Sequence, residues 1–310
     1  MGGVPCAAVP TLGARTLPDR AARDDVAARP RRRRRRARHG RGEAGVSSGA
    51  VVGVGVHSGQ RCSVRLHRDD GPIRFRLGRF EVTARASAVV ATPRCTVLGD
   101  DGVRIATVEH LMAALRVGGF WSGVVVEVDG PELPILDGSA EPWTDGVAAL
   151  GQPPPAPPAW HRRTPVAFEH GRSRIVWRPG EDRLEVAIDY AHRAIGAQRW
   201  AGTPGSYRDV LGARTFATAE EVHTLRAAGG LKGAEEGRGI VFADDGPSTP
   251  LRWPDEPVRH KALDALGDIA LLGRPLGGSL SIERGSHAAH VSFMLHLSRH
   301  LPPDRGPDPT

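Results

Sequence analysis

The chain has 310 residues, 40% of them hydrophobic, which is enough for one large or two modest cores; 42 Lys and Arg against 35 Asp and Glu give a formal net charge of +7. No stretch reaches the roughly 20 consecutive apolar residues of a membrane span. The three cysteines, Cys6, Cys62 and Cys95, are odd in number, far apart and outside any C-x-x-C spacing, which argues against a disulfide framework and a thiolate metal site and makes a reducing cytoplasm the expected compartment.

Residues 1–46 hold Arg31 to Arg36 without a break, with further Arg at 29, 38 and 41, and almost nothing to bury. Such chain is expected to be a disordered extension. A polyarginine run binds nucleic acid or an anionic membrane surface in a salt-dependent way, leaving peripheral membrane contact open. GC-rich coding or an upstream start codon accounts for the run more simply, so no specific nucleic-acid partner is expected. No basic n-region precedes an apolar core of adequate length, so a secretory signal is not expected either.

Residues 47–150 read as an N-terminal α+β domain. Gly53-Val54-Gly55 lacks the third glycine and the following helix of a nucleotide loop, so it reads as a hairpin or tight turn. Short alternating strands are expected at 62–66 and 123–128. Between them Thr107 offers an N-cap, Glu109 and His110 sit side by side, and Leu111-Met112-Ala113-Ala114-Leu115 continues as an apolar run. Asp129-Gly130-Pro131-Glu132 reads as a turn, and Asp137 as a structural cap for backbone N–H groups rather than a catalytic residue. Residues 151–164 form a stiff Pro-rich linker.

Residues 165–300 read as a second α+β domain. Strands are expected near 174–178 and 184–190, then a loop carrying Ala213 to Phe216, a long helix at 254–273, and a last helix near 291–300 before a tail at 301–310. Strands and helices are mixed without a regular alternation, which favours α+β. His161, His170, His192, His223 and His300 have no partner pattern and read as surface residues.

The long helix is apolar almost all round except for His260, Asp264 and Asp268, spaced four apart and therefore on one face. His and Asp one turn apart also fit an ordinary ion pair on a solvated face. Two features favour a metal site: the apolar flanks, where an unpartnered charge costs several kcal/mol, and the Glu109-His110 pair at the start of a second apolar helix. His110, His260 and Asp264 supply the His, His, carboxylate set of a zinc hydrolase, and Glu109 a separate base.

At these residues the chain resembles the UDP-3-O-acyl-N-acetylglucosamine deacetylases, zinc amidases of lipid A synthesis, from about Val51 to about Leu297. The resemblance rests on Gly53-Val54-Gly55-Val56-His57-Ser58-Gly59, on the block from Thr107 to Leu115, on Pro131-Glu132-Leu133-Pro134-Ile135-Leu136-Asp137-Gly138-Ser139, on Ala213-Arg214-Thr215-Phe216, and on Val258 through Asp268. It implies two similar two-layer α/β sandwich domains with the active site between them, an acyl-binding insert at about 217–245, and Zn2+ on His110, His260 and Asp264. It further implies Glu109 as general base, Thr215 as an oxyanion donor, His287 as second acid/base group oriented by Asp268, and Lys261, Phe216, His57 and Glu221 at the substrate. The expected partner is a UDP-activated acylated amino sugar and the expected state a monomer. A zinc amidase acting on a different N-acylated sugar and a non-catalytic binding relative are the alternatives.

The departures from the family pattern lie on the substrate side. Ser286 and His290 stand where the family has Gly and Asn, Trp121-Ser122 replaces an Asp-Asn pair, and Ala217 and Thr218 follow Phe216 where an aromatic is usual. Residues 229–241 bring Lys232, Glu235, Glu236 and Arg238 to a region the family fills with apolar side chains. Each lost methylene contact removes about 0.8 kcal/mol of burial, so a shifted acyl-chain preference is expected.

Overall fold

The computed structural model describes residues 49–100 and 102–299. The expectations for the Arg-rich extension, Cys6, His300 and the 301–310 tail lie outside the described residues.

The first half is built on β1 (Ala50–Val54), β2 (Arg61–Pro72), β3 (Arg74–Leu77) and β4 (Phe80–Thr83). A small sheet of β5 (Val89–Ala91), β6 (Val97–Gly99) and β7 (Arg104–Ile105) follows, then α1 (Glu109–Val117), β8 (Ser122–Val128) and α2 (Thr144–Ala148). β8 enters between β2 and β3, antiparallel to the first and parallel to the second, giving the order β1-β2-β8-β3-β4. Its sequence SGVVVEV suits that central place, because a strand covered on both faces can be continuously apolar; residues 123–126 are all buried.

The second half repeats the plan with β9 (Val166–His170), β10 (Ser173–Arg178), β11 (Arg183–Asp189) and β12 (Ala197–Gly202). An inserted sheet of β13 (Phe216–Thr218), β14 (Ile240–Ala243) and β15 (Gly246–Pro247) carries α3 (Ala219–Ala227). Then come α4 (Glu256–Ala270), β16 (Ser279–Glu283) and α5 (His287–Ser298). β16 lies between β10 and β11, antiparallel to the first and parallel to the second, so the order β9-β10-β16-β11-β12 matches that of the first sheet strand for strand. The protein is α+β, with two sheets of the same topology.

In each half one helix precedes the late central strand: α1 before β8 and α4 before β16. These two helices pack against each other. Val258, Leu263, Leu266 and Ile269 of α4 are almost wholly removed from water, each worth about 1.5–3 kcal/mol of burial, and this apolar surround carries the helix's polar stripe into the interior. Contact between the helices depends on Gly267, where an added Cβ would stand 2.0 Å from the carbonyl oxygen of Glu109. Only a residue with no side chain lets α4 approach the first turn of α1 this closely.

Two local expectations are corrected, and one segment proves to be anchored. Thr107 is not the cap of α1: it sits at φ 60 and its hydroxyl donates to Glu132 Oε1 at 3.2 Å, while Val108 occupies the N-cap without a side-chain bond. The last helix starts four residues early, at His287, because the Ser286 hydroxyl accepts the Ala289 N–H at 3.2 Å and caps it. The Pro-rich segment does not hang free: Trp160 is buried edge-to-face on Trp177, and its backbone bridges to Leu276.

Candidate metal centre and active site

His260 and Asp264, one turn apart on α4, meet His110 from the first turn of α1, and one donor atom from each lies within 4.8 Å of the others. Asp264 Oδ1 is 3.3 Å from His260 Nε2 and 3.7 Å from His110 Nε2, and the two rings stand edge-to-face at 5.1 Å. Such separations suit donors sharing one small divalent ion with bonds of about 2.0–2.2 Å. The protonation states suit it too. Burial, with help from His260, drives His110 down to about 3, and burial also lowers His260, so both imidazoles are neutral. Burial alone would raise Asp264, but His260, Lys261, His287 and His110 hold it well below the ordinary carboxylate range. Two neutral imidazoles and one carboxylate, all at most 4% exposed, form a fitting donor set for a divalent metal ion.

Neighbouring groups aim these donors. The His260 Nδ1–H donates to the Ala213 carbonyl at 3.0 Å, which leaves Nε2 as the free lone pair facing Asp264. The 213–215 loop is itself fixed to the start of α4: the Arg214 guanidinium forks onto the buried Glu256 carboxylate at 2.8 and 3.1 Å, and the Arg214 N–H donates to the same group at 3.0 Å. Lys261 Nζ donates to Asp264 Oδ2 at 2.6 Å, occupying the oxygen that does not face the imidazoles. Lys261 was expected at the substrate; it lines the cavity with its ammonium bound to Asp264, and although burial alone would lower it, the charge and hydrogen bond of Asp264 together with Tyr190 and Asp268 raise it above the ordinary lysine range.

On the other side of the cluster stands Glu109, 3% exposed. Its Oε2 accepts the Thr96 N–H at 3.0 Å and its Oε1 faces His287 Nε2 at 3.9 Å. Burial raises its carboxyl to about 8, with His287 pulling downward and Asp268 and Asp264 adding to the rise. A carboxyl in that range still holds a proton at neutral pH, and a divalent cation on the neighbouring donors would favour the ionised form that a base needs. His287 Nδ1–H donates to Asp268 Oδ2 at 2.8 Å. Burial alone would lower His287, yet Asp268's charge and hydrogen bond, with Glu109 and Asp264 behind them, hold it at about 9. Two partners of Asp268 were not anticipated: the Thr96 hydroxyl donates to Oδ1 at 2.5 Å, and His290 Nδ1 lies 2.8 Å from Oδ2. Thr96 carries no sequence signal for this role. The spacing of His290, three residues after His287 on one helix, is the signal that could have revealed it.

A cavity of about 590 Å³ opens over Glu109, His110, His260 and Asp264. Thr215 lines it with both backbone groups engaged, its N–H to the Gly138 carbonyl at 2.7 Å and its carbonyl from the Ile240 N–H at 2.8 Å. Phe216 lines it beside Tyr190 and His260. His57 lines it half-buried and neutral, lowered by burial against the pull of Glu132. Glu132, read as part of a turn, is in fact a buried clamp on that loop, accepting the His57 and Ser58 N–H groups at 2.9 and 2.6 Å. Glu221 reaches the cavity from the first turn of α3, where it completes a capping box with Thr218 and pairs with Arg94 at 2.9 Å. The expected polar passage is mixed. Val222, Leu225 and Leu231 line it together with Glu235, Glu236 and Arg238, while Lys232 packs against Gly59 instead. Asp137 behaves as expected, accepting the Ser139 N–H at 2.9 Å and also the Arg252 guanidinium at 2.8 Å.

A buried His-His-Asp donor set with a free glutamate at its edge and an aspartate-held histidine beyond it, where two sheets of like topology face through their crossover helices, is the arrangement of a metal-dependent hydrolase. The sequence profile described as UDP-3-O-acyl N-acetylglycosamine deacetylase matches residues 46–299, and the chain belongs to that family. It is 40% identical over 258 residues to the UDP-3-O-acyl-N-acetylglucosamine deacetylase of Thermosynechococcus vestitus, covering 80% of this chain and 90% of that one. The protein of the same name from Thermodesulfovibrio yellowstonii is 34% identical over 80% of this chain and 88% of its own length. That from Brucella ovis is 39% identical over 76% and 88%.

Proposed function

We propose that this chain removes the N-acetyl group of UDP-3-O-acyl-N-acetylglucosamine, working in the cytoplasm as a monomer with zinc on His110, His260 and Asp264. The observation that carries this reading is the convergence of those three donors beside Glu109, with His287 across from it. Bound zinc supplies Lewis acidity and makes water a better nucleophile near neutral pH. Glu109 takes the proton of the attacking water as a C–O bond forms at the acetamide carbon. The Thr215 hydroxyl and the charged His287 ring meet the developing oxyanion. As the C–N bond breaks, His287 gives its proton to the departing amine, acetic acid leaves and ionises to acetate, and Glu109 passes the proton taken from water to the His287 ring facing it at 3.9 Å, which restores both groups. Asp268 keeps the His287 ring charged and aimed, Lys261 holds Asp264, and Phe216, His57 and Glu221 contact the sugar nucleotide and its acyl chain.

Charged side chains on the passage wall support a shifted acyl-chain preference toward shorter or hydroxylated chains. Metal analysis combined with a deacetylation assay on the UDP-sugar with acyl chains of several lengths tests the whole reading. His260→Ala is expected to lose bound zinc. Glu109→Ala is expected to keep it while losing at least ~100-fold in rate. Full activity of either variant, or undiminished preference for long chains, contradicts the corresponding part.

A further inference from the structure

His290 is 1% exposed and lies one turn into α5. Its Nδ1 approaches Asp268 Oδ2 at 2.8 Å, the same oxygen that His287 Nδ1 approaches at 2.8 Å, while the Thr96 hydroxyl takes Oδ1. The two rings are 6.5 Å apart and nearly perpendicular, so they reach one oxygen from different directions rather than stacking. An ionised carboxylate only accepts, so His290 carries a proton on Nδ1. Its Nε2 is buried and has no hydrogen-bond partner among the described residues. Gly285 closes over that atom, since a Cβ there would stand 2.6 Å from it. A second proton on Nε2 would thus create a charge with no acceptor, beside an aspartate already serving one charged imidazole, and burying an unpaired charge is far costlier than burying a neutral ring.

We propose that His290 is a positioning residue for the second acid/base group: as a neutral Nδ1–H donor it shares Asp268 Oδ2 with His287, fixes the direction of that carboxylate and limits how tightly it holds the His287 proton. This rests on the reading of His287 as the acid. The titratable groups facing His287 are Glu109 and His110 from α1, His260, Asp264 and Asp268 from α4, and His290 from its own helix, with Lys261 acting on the two aspartates. Of these, His290 alone donates to the oxygen on which His287 depends. Removing that donor makes Asp268 a stronger partner for the imidazolium, which becomes a weaker acid.

The test compares zinc-loaded wild type, His290→Leu and His290→Asn by kinetics across pH and by 15N NMR of the imidazoles. In His290→Leu the His287 titration and the alkaline limb of kcat/KM are expected to move up together by about one pH unit, a tenfold change in proton affinity. There kcat is expected to fall ~10-fold with KM unchanged, because proton delivery slows while binding is untouched. His290→Asn, which restores one N–H, is expected to recover most of both effects. An unmoved His287 titration in folded His290→Leu overturns the proposal. So does a wild-type His290 whose Nδ1 carries no proton, a measurement that needs no variant to fold. Loss of the acid assignment would show differently, as full activity in His287→Gln, and the ring titration would still decide the role of His290.

Discussion

One carboxylate, Asp268, receives two imidazoles and a hydroxyl, and from this the pH behaviour of the site follows. His287 is held at about 9, so it is charged below that value and loses its proton above it. On the proposed reading, in which His287 gives a proton to the departing amine, the ring is competent at neutral pH and kcat/KM is expected to fall as pH rises through about 9. In His287→Gln that alkaline limb is expected to vanish and the plateau to drop by ~100-fold; a limb that persists in the variant assigns it to another group. The residues of the donor set were legible in the chain because His260, Asp264 and Asp268 repeat at one helical turn, a period that local sequence displays directly. Thr96 was not, since it meets Asp268 across 172 residues and nothing near it marks a partner. Glu132 was misread for the same reason: a turn-like tetrapeptide gives no hint that its carboxylate closes on N–H groups some 75 residues away.

α1 and α4 bring the donors together, and their closeness rests on Gly267. Gly267→Ala is expected to force the helices apart against the Glu109 carbonyl and to destabilise the fold by ~1–3 kcal/mol, as overpacking of a tight interior does. Thermal unfolding checks this, with zinc content measured alongside: a lowered Tm together with weakened zinc retention is the expected pair, whereas unchanged values for both would show that the interface has slack. The long helix was readable in the sequence because its apolar surround and the Pro257 in its first turn agree on where it begins. The start of α5 was missed because Ser286 reads as a substitution in a motif, and its capping role shows only once the helix behind it is in place. At Thr107 the opposite happened. A residue of strong capping propensity was recruited by Glu132, and the backbone took a left-handed conformation to allow it, at a cost of about 1–3 kcal/mol close to Glu109.

The molecule as a whole is two copies of one strand order facing each other through equivalent helices. The α+β class was evident from the irregular mixture of strands and helices; the repetition was implied by the family resemblance and not by the residues themselves, because strand order depends on which edges pair. The facing of the halves explains the division of labour: one supplies Glu109 and His110, the other His260, Asp264, Asp268 and His287, and neither half alone encloses the cavity. No helix among the described residues is long and apolar enough to cross a membrane. Crystals of the zinc-loaded protein measured on both sides of the zinc absorption edge test the central claim most directly. A single anomalous peak is expected within about 2.0–2.2 Å of His110 Nε2, His260 Nε2 and an Asp264 oxygen. A peak elsewhere, or none at that point in fully loaded protein, contradicts it.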